Sequence, residues 1–206
     1  MAVVLGGVGA GVAWWRSEPA PVELPAGACW SVLTRADLLP LADHVHGKLM
    51  EQYQSDDDHT ELHPAREAHQ CDVGQQTAED LVWIQVLSID QAVMTDTLGP
   101  DASRRRDGPS RLDFGADVQG WVWPERVSLG FRCDNPDSVR MGQPYVAITV
   151  RAGELTDPAS EKVGRAVLGI ALKYAKHVVA GYPCTNAVRL PDGVPATMGS
   201  PSDPGR

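Results

Sequence analysis

The chain has 206 residues, 43% of them apolar, and a formal charge of -9. This length and composition imply one folded domain with a core of its own, and exclude a disordered or multi-span chain. They also exclude nucleic acid as a partner, because a phosphate backbone needs a basic face. The one basic run, Arg104 to Arg106, leads straight into Asp107, Gly108 and Pro109, as a solvated loop does.

Residues 1 to 15 carry no charged side chain and are mostly Val, Leu, Ala and Gly, ending at Trp14 and Trp15 before Arg16. Crossing a bilayer takes about 20 apolar residues, so residues 1–16 read as a signal-peptide core or a membrane anchor, with the paired Trp at the interface. Gly6, Gly7, Gly9 and Gly11 do not complete a Gly-x-Gly-x-x-Gly phosphate turn. Gly7 and Gly11 do form a small-xxx-small pair, which in a spanning helix permits close approach of another helix. Residues 17–28 contain Pro19, Pro21 and Pro25 and read as an extended spacer.

A domain is expected over residues 29–185. Thr34 with Asp37 forms a capping-box-like helix start, and Leu38, Leu41, Val45 and Leu49 recur at helical spacing. Pro40 either opens that helix after a short turn or kinks it. The acidic stretch 51–69 reads as a loop, and residues 95–114 as a second long one. Strands are expected at Leu81 to Ile89, Val118 to Trp123, Val127 to Cys133 and Tyr145 to Val150. A second main helix is expected from Pro158 to Ala180, capped by Asp157 and ended by Gly181, with Val163, Val167, Ile170, Ala171, Tyr174 and Val178 on its core stripe. Lys173, Lys176 and His177 near its end complement the helix dipole. The Pro- and Gly-rich residues 186–206 read as a disordered tail. The fold class is therefore α+β, with an antiparallel or mixed sheet of about four to five strands packed by two main helices and stapled by disulfides.

The four cysteines, Cys29, Cys71, Cys133 and Cys184, include no Cys-x-x-Cys spacing of a zinc or redox site. In an oxidising compartment three pairings exist, and Cys29 with Cys71 and Cys133 with Cys184 is the one expected. Loops of that size are each worth about 4 kcal/mol on the chain-entropy model.

The apolar head, Cys29-Trp30 followed by Leu33-Thr34 and Asp37-Leu38, the strand ending in Phe131-x-Cys133 and the helix running into Cys184 together resemble small membrane-anchored or secreted actinobacterial proteins of unknown function. The resemblance spans about residues 1 to 185 and implies a membrane-anchored or secreted α+β domain. It transfers no catalytic residue. Basic residues ahead of the head, which that group has, are missing here, and the His-rich loop is not one of its features.

That loop is the sharpest chemical signal. His44, His46, His59, His63 and His69 fall close together beside Asp56, Asp57, Asp58, Glu61 and Glu67. Imidazole and carboxylate suit Zn(II), Cu(II) or Ni(II), and His59, His63 and His69 are the candidate ligands for zinc or copper. The stretch is not a metalloprotease motif, since Glu61 stands two residues after His59 and Pro64 stops any helix. The competing reading is a solvated acidic loop. No nucleophile elbow and no phosphate-binding loop is present, so no catalytic or cofactor-binding residue is assigned. Trp121 and Trp123 share one face of their strand, where they could stack a sugar or peptide or simply pack the sheet. The functional expectation is a non-catalytic extracytoplasmic binding or sensing domain, tethered to the outer face of the cell membrane or secreted, with a protein or the cell wall as partner. Two alternatives stand beside it: a structural subunit of a membrane complex, and a metal-binding protein or metal-dependent enzyme using the His-rich loop.

Overall fold

Apolar and polar residues alternate along the central segments of the chain, and a pleated strand sends alternate side chains to opposite faces, so the pattern fixes which face is buried. A computed structural model describes residues 20–53, 62, 68–76, 79–98, 110–114, 117–123, 125–157 and 160–195. Among them run, in chain order, a small hairpin of β1 (Gly27–Ala28) and β2 (Leu33–Thr34), α1 (Arg35–Leu38), β3 (Met50–Tyr53), β4 (His69–Gly74), β5 (Asp80–Ile89), α2 (Gln91–Leu98), β6 (Ser110–Asp113), β7 (Val118–Val122), β8 (Arg126–Arg132), α3 (Pro136–Arg140), β9 (Tyr145–Ala152) and α4 (Glu161–Gly181).

Strands β3 to β9 form one seven-stranded antiparallel sheet in the order β3-β4-β5-β9-β8-β7-β6. Two meanders, β3-β4-β5 and β6-β7-β8, are joined through β9, which is laid between them last. One face is apolar along its middle: Val82, Ile84 and Val86 of β5, Val146, Ile148 and Val150 of β9, and Val127, Leu129 and Phe131 of β8 are all buried. Helix α4 packs on β9 and β8 there, with Val163, Val167, Ile170, Ala171, Tyr174 and Val178 buried as its sequence periodicity requires. Each fully buried Val, Leu or Ile of this layer is worth about 1.5–3 kcal/mol, so this layer carries most of the stability.

The cysteines pair as Cys29–Cys71 and Cys133–Cys184, with Cα atoms 5.6 and 4.8 Å apart. The first ties the β1–β2 turn to β4. The second ties the end of β8 to the segment after α4, where the Asn186 side chain accepts from Asp134 N–H and donates to Arg132 O. The turn at the first disulfide is unusual: Cys29, Trp30 and Ser31 have φ of 51, 59 and 58°, a full left-handed turn without glycine. It is held from several sides. The Cys29 and Trp30 N–H groups donate to Glu51 Oε2 and Tyr53 Oη of β3 at 2.8 and 2.9 Å. Tyr174 Oη of α4 donates to Cys29 O at 3.0 Å, and burial pushes that phenol well above its ordinary pKa.

Several sequence expectations are corrected. The sheet has seven strands rather than four or five, because β3 and β6 lie where loops were read and β4 follows the first of them in a stretch without an expected element. Strand β3 is an edge strand with little buried surface, so it shows no alternation. Helix α2 also lies partly within the expected 95–114 loop. Among the described residues only α4 is a long helix. After α1 the chain makes a single 3₁₀ turn over Leu39–Leu41, so Leu38 reaches the core from α1, Leu41 from that turn, and Val45 and Leu49 from the irregular segment after it, instead of from one continuing helix. Helix α4 starts at Glu161 with Ser160 as cap, three residues later than read. The expected spacer is held against the domain from Ala20 onward, through Glu23 N–H to Gly47 O and Leu49 N–H to Glu23 O. The tail is likewise attached over residues 186–195, where Lys176 Nζ donates to Asp192 O and Arg165 to Pro195 O. Residues 1–19 and 196–206, and with them the anchor and Gly7 with Gly11, lie outside the described residues. No described helix is long and apolar enough to cross a membrane.

Candidate functional site

The second face of the sheet is treated in two ways by the chain. At one end α2 folds back over it, and Met94 closes a small apolar cluster with Ile89, Trp121 and Ala147. Among the described residues no helix packs over the rest, which is polar. Strand register places Asp72, Trp83, Arg151 and Arg126 in one row across β4, β5, β9 and β8. The next row, two residues along each strand, runs Gln70, Gln85, Thr149, Ser128 and Trp121, the last on β7.

Apart from the buried Asp72 and Trp121, these rows floor an open groove of about 490 Å³, flanked by Trp83 and by Trp123 at the end of β7, with Asp80 at its rim. That volume is within the range of small-ligand clefts, about 300–1,000 Å³. The backbones of β5, β9 and β8 are paired on both sides, so the groove presents side chains only. Each arginine lies over an indole: Arg126 Cζ is 4.0 Å from the Trp123 ring centroid and Arg151 Cζ is 5.6 Å from that of Trp83. Such stacking uses the flat face of guanidinium and leaves its in-plane N–H donors uncommitted.

Those donors have no carboxylate to meet. Among the described residues neither arginine makes an ion pair within 4.0 Å, and Arg126 Nε is buried without a hydrogen-bond partner. Trp121 Nε1, beneath α2, is a second buried donor without an acceptor. Like charges directly opposite on neighbouring strands destabilise a sheet, and an orphaned buried donor costs about 1–3 kcal/mol. In a chain of charge -9, this arrangement is not explained by folding. Asp80 is the closest acidic influence: burial pushes its carboxyl above the ordinary carboxylate range, Arg151 opposes that, and Glu154 adds to it. In the second row Ser128 Oγ and Thr149 Oγ1 are 3.0 Å apart, while the Gln70 and Gln85 amides make no side-chain hydrogen bond among the described residues.

The residues singled out from sequence fall elsewhere. His59 and His63 lie outside the described residues. His69 is in β4, buried, with its ring edge-on to Trp30 at 5.9 Å; Trp30 also meets Tyr53 and Tyr174 edge-on. His44 and His46 are exposed. Among the described residues no group of three or more His, Cys, Asp or Glu is placed to hold a metal ion. Of the alternating tryptophans, Trp123 borders the groove and Trp121 is buried under α2. The arginines were missed because 25 residues separate them and only strand register makes them neighbours. The available signal was the outward half of each alternation, Trp83 and Gln85, Thr149 and Arg151, Arg126 and Ser128, which is rich in groups that recognise ligands. The chain matches no protein-family model, no curated protein and no solved structure.

Proposed function

We propose that this chain is a non-catalytic binding domain, tethered by residues 1–16 to the outer face of a membrane, that takes its ligand on the bare face of its sheet. The observation that carries the reading is the register pair Arg126–Arg151, two arginines opposite each other on neighbouring strands without a carboxylate in ion-pair range among the described residues. Two disulfides support an oxidising compartment. The cell wall is the partner that suits an outer-face location and a side-chain-only groove.

The test is co-sedimentation of the full chain, kept soluble in mild detergent, with purified cell-wall sacculi, together with alkylation of the unreduced native protein. Binding to sacculi that is lost in an Arg126→Gln/Arg151→Gln variant, and no alkylatable thiol, is the expected result. Binding that the variant leaves unchanged, no binding at all, or four free thiols would overturn the proposal.

A further inference from the structure

We propose that the ligand of this groove is an acidic saccharide bearing a carboxylate, held by Arg126 and Arg151; this rests on the bare sheet face being the binding surface. Three features of the site converge on that chemistry.

The first is charge. Among the residues that line the groove, Arg126 and Arg151 against Asp80 leave one positive charge in excess, which suits a single monoanionic group; Asp72, in the same row, is buried outside the lining. A planar guanidinium presents parallel N–H donors that match the two oxygens of a carboxylate. Guanidinium meets phosphate in the same bidentate way, so the single excess charge is what favours a monoanionic carboxylate over a doubly charged phosphate, which also draws on backbone N–H groups, helix N-termini or lysine. The groove offers none of these, because its floor strands are fully paired and no lysine lines it.

The second is the neutral row. Gln70, Gln85, Ser128 and Thr149 lie beside the arginines and supply both donors and acceptors. Such a row suits a ligand rich in hydroxyl groups, since each hydroxyl gives and accepts a hydrogen bond. An acidic peptide would instead seek backbone partners along a strand edge, and interior strands β5, β9 and β8 have no free edge.

The third is the aromatic border. Trp83 and Trp123, both half-buried and each with an arginine over one ring face, are the apolar surfaces of a polar groove. An indole is flat, with a negative π face that attracts the polarised C–H groups of a sugar ring. One acid group fixed by arginines, hydroxyls met by amides and hydroxyls, and rings met by indoles together describe a uronate-type sugar.

Calorimetric titration of the full chain in micelles with trigalacturonate, maltotriose and tetraglutamate tests the assignment. Trigalacturonate is expected to bind, less tightly as salt rises, with maltotriose and tetraglutamate each weaker by about tenfold or more, the value of one charge-assisted hydrogen-bond set. Arg126→Gln and Arg151→Gln should each weaken trigalacturonate by about tenfold, with the circular dichroism spectrum unchanged. Maltotriose binding as tightly as trigalacturonate, tetraglutamate binding as tightly, or no heat with trigalacturonate overturns the saccharide assignment, and trigalacturonate affinity unchanged in both arginine variants overturns their role in holding it. If trigalacturonate fails while sacculus binding is still lost in the double arginine variant, only the ligand class falls. If both fail, the binding face falls with it.

Discussion

Replacing Ser31 by glycine should make the protein more stable, although it removes atoms. Ser31 is the third of three consecutive residues in the left-handed region, at φ 58°. An L-residue there sets its Cβ against the following carbonyl at about 1–2 kcal/mol, whereas glycine has no such penalty. Ser31 is exposed, and its side chain makes no hydrogen bond among the described residues, so the substitution removes no contact. Against the relief stands the extra freedom of glycine in the unfolded chain, about 0.4–1 kcal/mol. The balance is a gain of about 0.5–1 kcal/mol, or about 1–4 °C in Tm for a domain of this size. Denaturant unfolding should show a higher midpoint with an unchanged slope. Ser31→Val should move the midpoint down, because a β-branched residue is a poor fit at positive φ. A glycine variant no more stable than the wild type, or a valine variant that is, would refute the claim that the turn is strained and held in place by Glu51, Tyr53, Tyr174 and the Cys29–Cys71 bond.

Three further outcomes follow from the charges and cross-links. Burial alone would raise the Asp37 carboxyl, but the bond from Lys173 at 2.5 Å and those from the Thr34 hydroxyl and amide outweigh it and hold it below its ordinary value. A depressed carboxylate contributes stability that is present above its unfolded pKa and lost as pH falls through the folded one. Asp37→Asn should therefore cost about 1 kcal/mol or less at pH 7, after screening of a partly exposed pair; the difference from wild type in urea midpoint should close below about pH 4. Asp80 has the opposite sign, since its folded pKa is raised and its favourable contribution is lost as pH rises. Asp80→Asn should raise the urea midpoint at pH 7, give no gain below about pH 4, and tighten trigalacturonate binding. Reduction of both disulfides removes about 4 kcal/mol each on the chain-entropy model, a large part of a typical 5–15 kcal/mol, and far-UV circular dichroism with added phosphine should show the midpoint collapse.

The core was legible where one face decides the pattern. Val127, Leu129 and Phe131 alternate with outward residues, and the α4 stripe repeats at helical spacing, because each element buries a single side. The disulfide partners were legible too, as the pairing that ties each expected helix to a strand, although Cys71 lies within β4. Legibility ended where tertiary neighbours supply what local sequence lacks. Strand β4 is polar at His69, Gln70 and Asp72 and depends on β5 for its pairing. Helix α2 buries Met94 alone among residues 91–95, too little for a visible stripe. Leu38, Leu41, Val45 and Leu49 mimic a helix because all four point inward, yet Pro40 removes one helical N–H and Gly47 takes φ 84°. The left-handed turn carries no glycine, so nothing local announces it. The groove is the extreme case, as its two arginines become neighbours only when β9 is laid between β5 and β8.

The claim that this face is the binding surface is tested most directly by ¹H–¹⁵N spectra of the full chain titrated with trigalacturonate. The indole signals of Trp83 and Trp123 and the guanidinium signals of Arg126 and Arg151 should move together and saturate at one ligand concentration, while Trp30, on the opposite side of the sheet, stays in place. Movement confined to other residues, or none at all, would contradict the account.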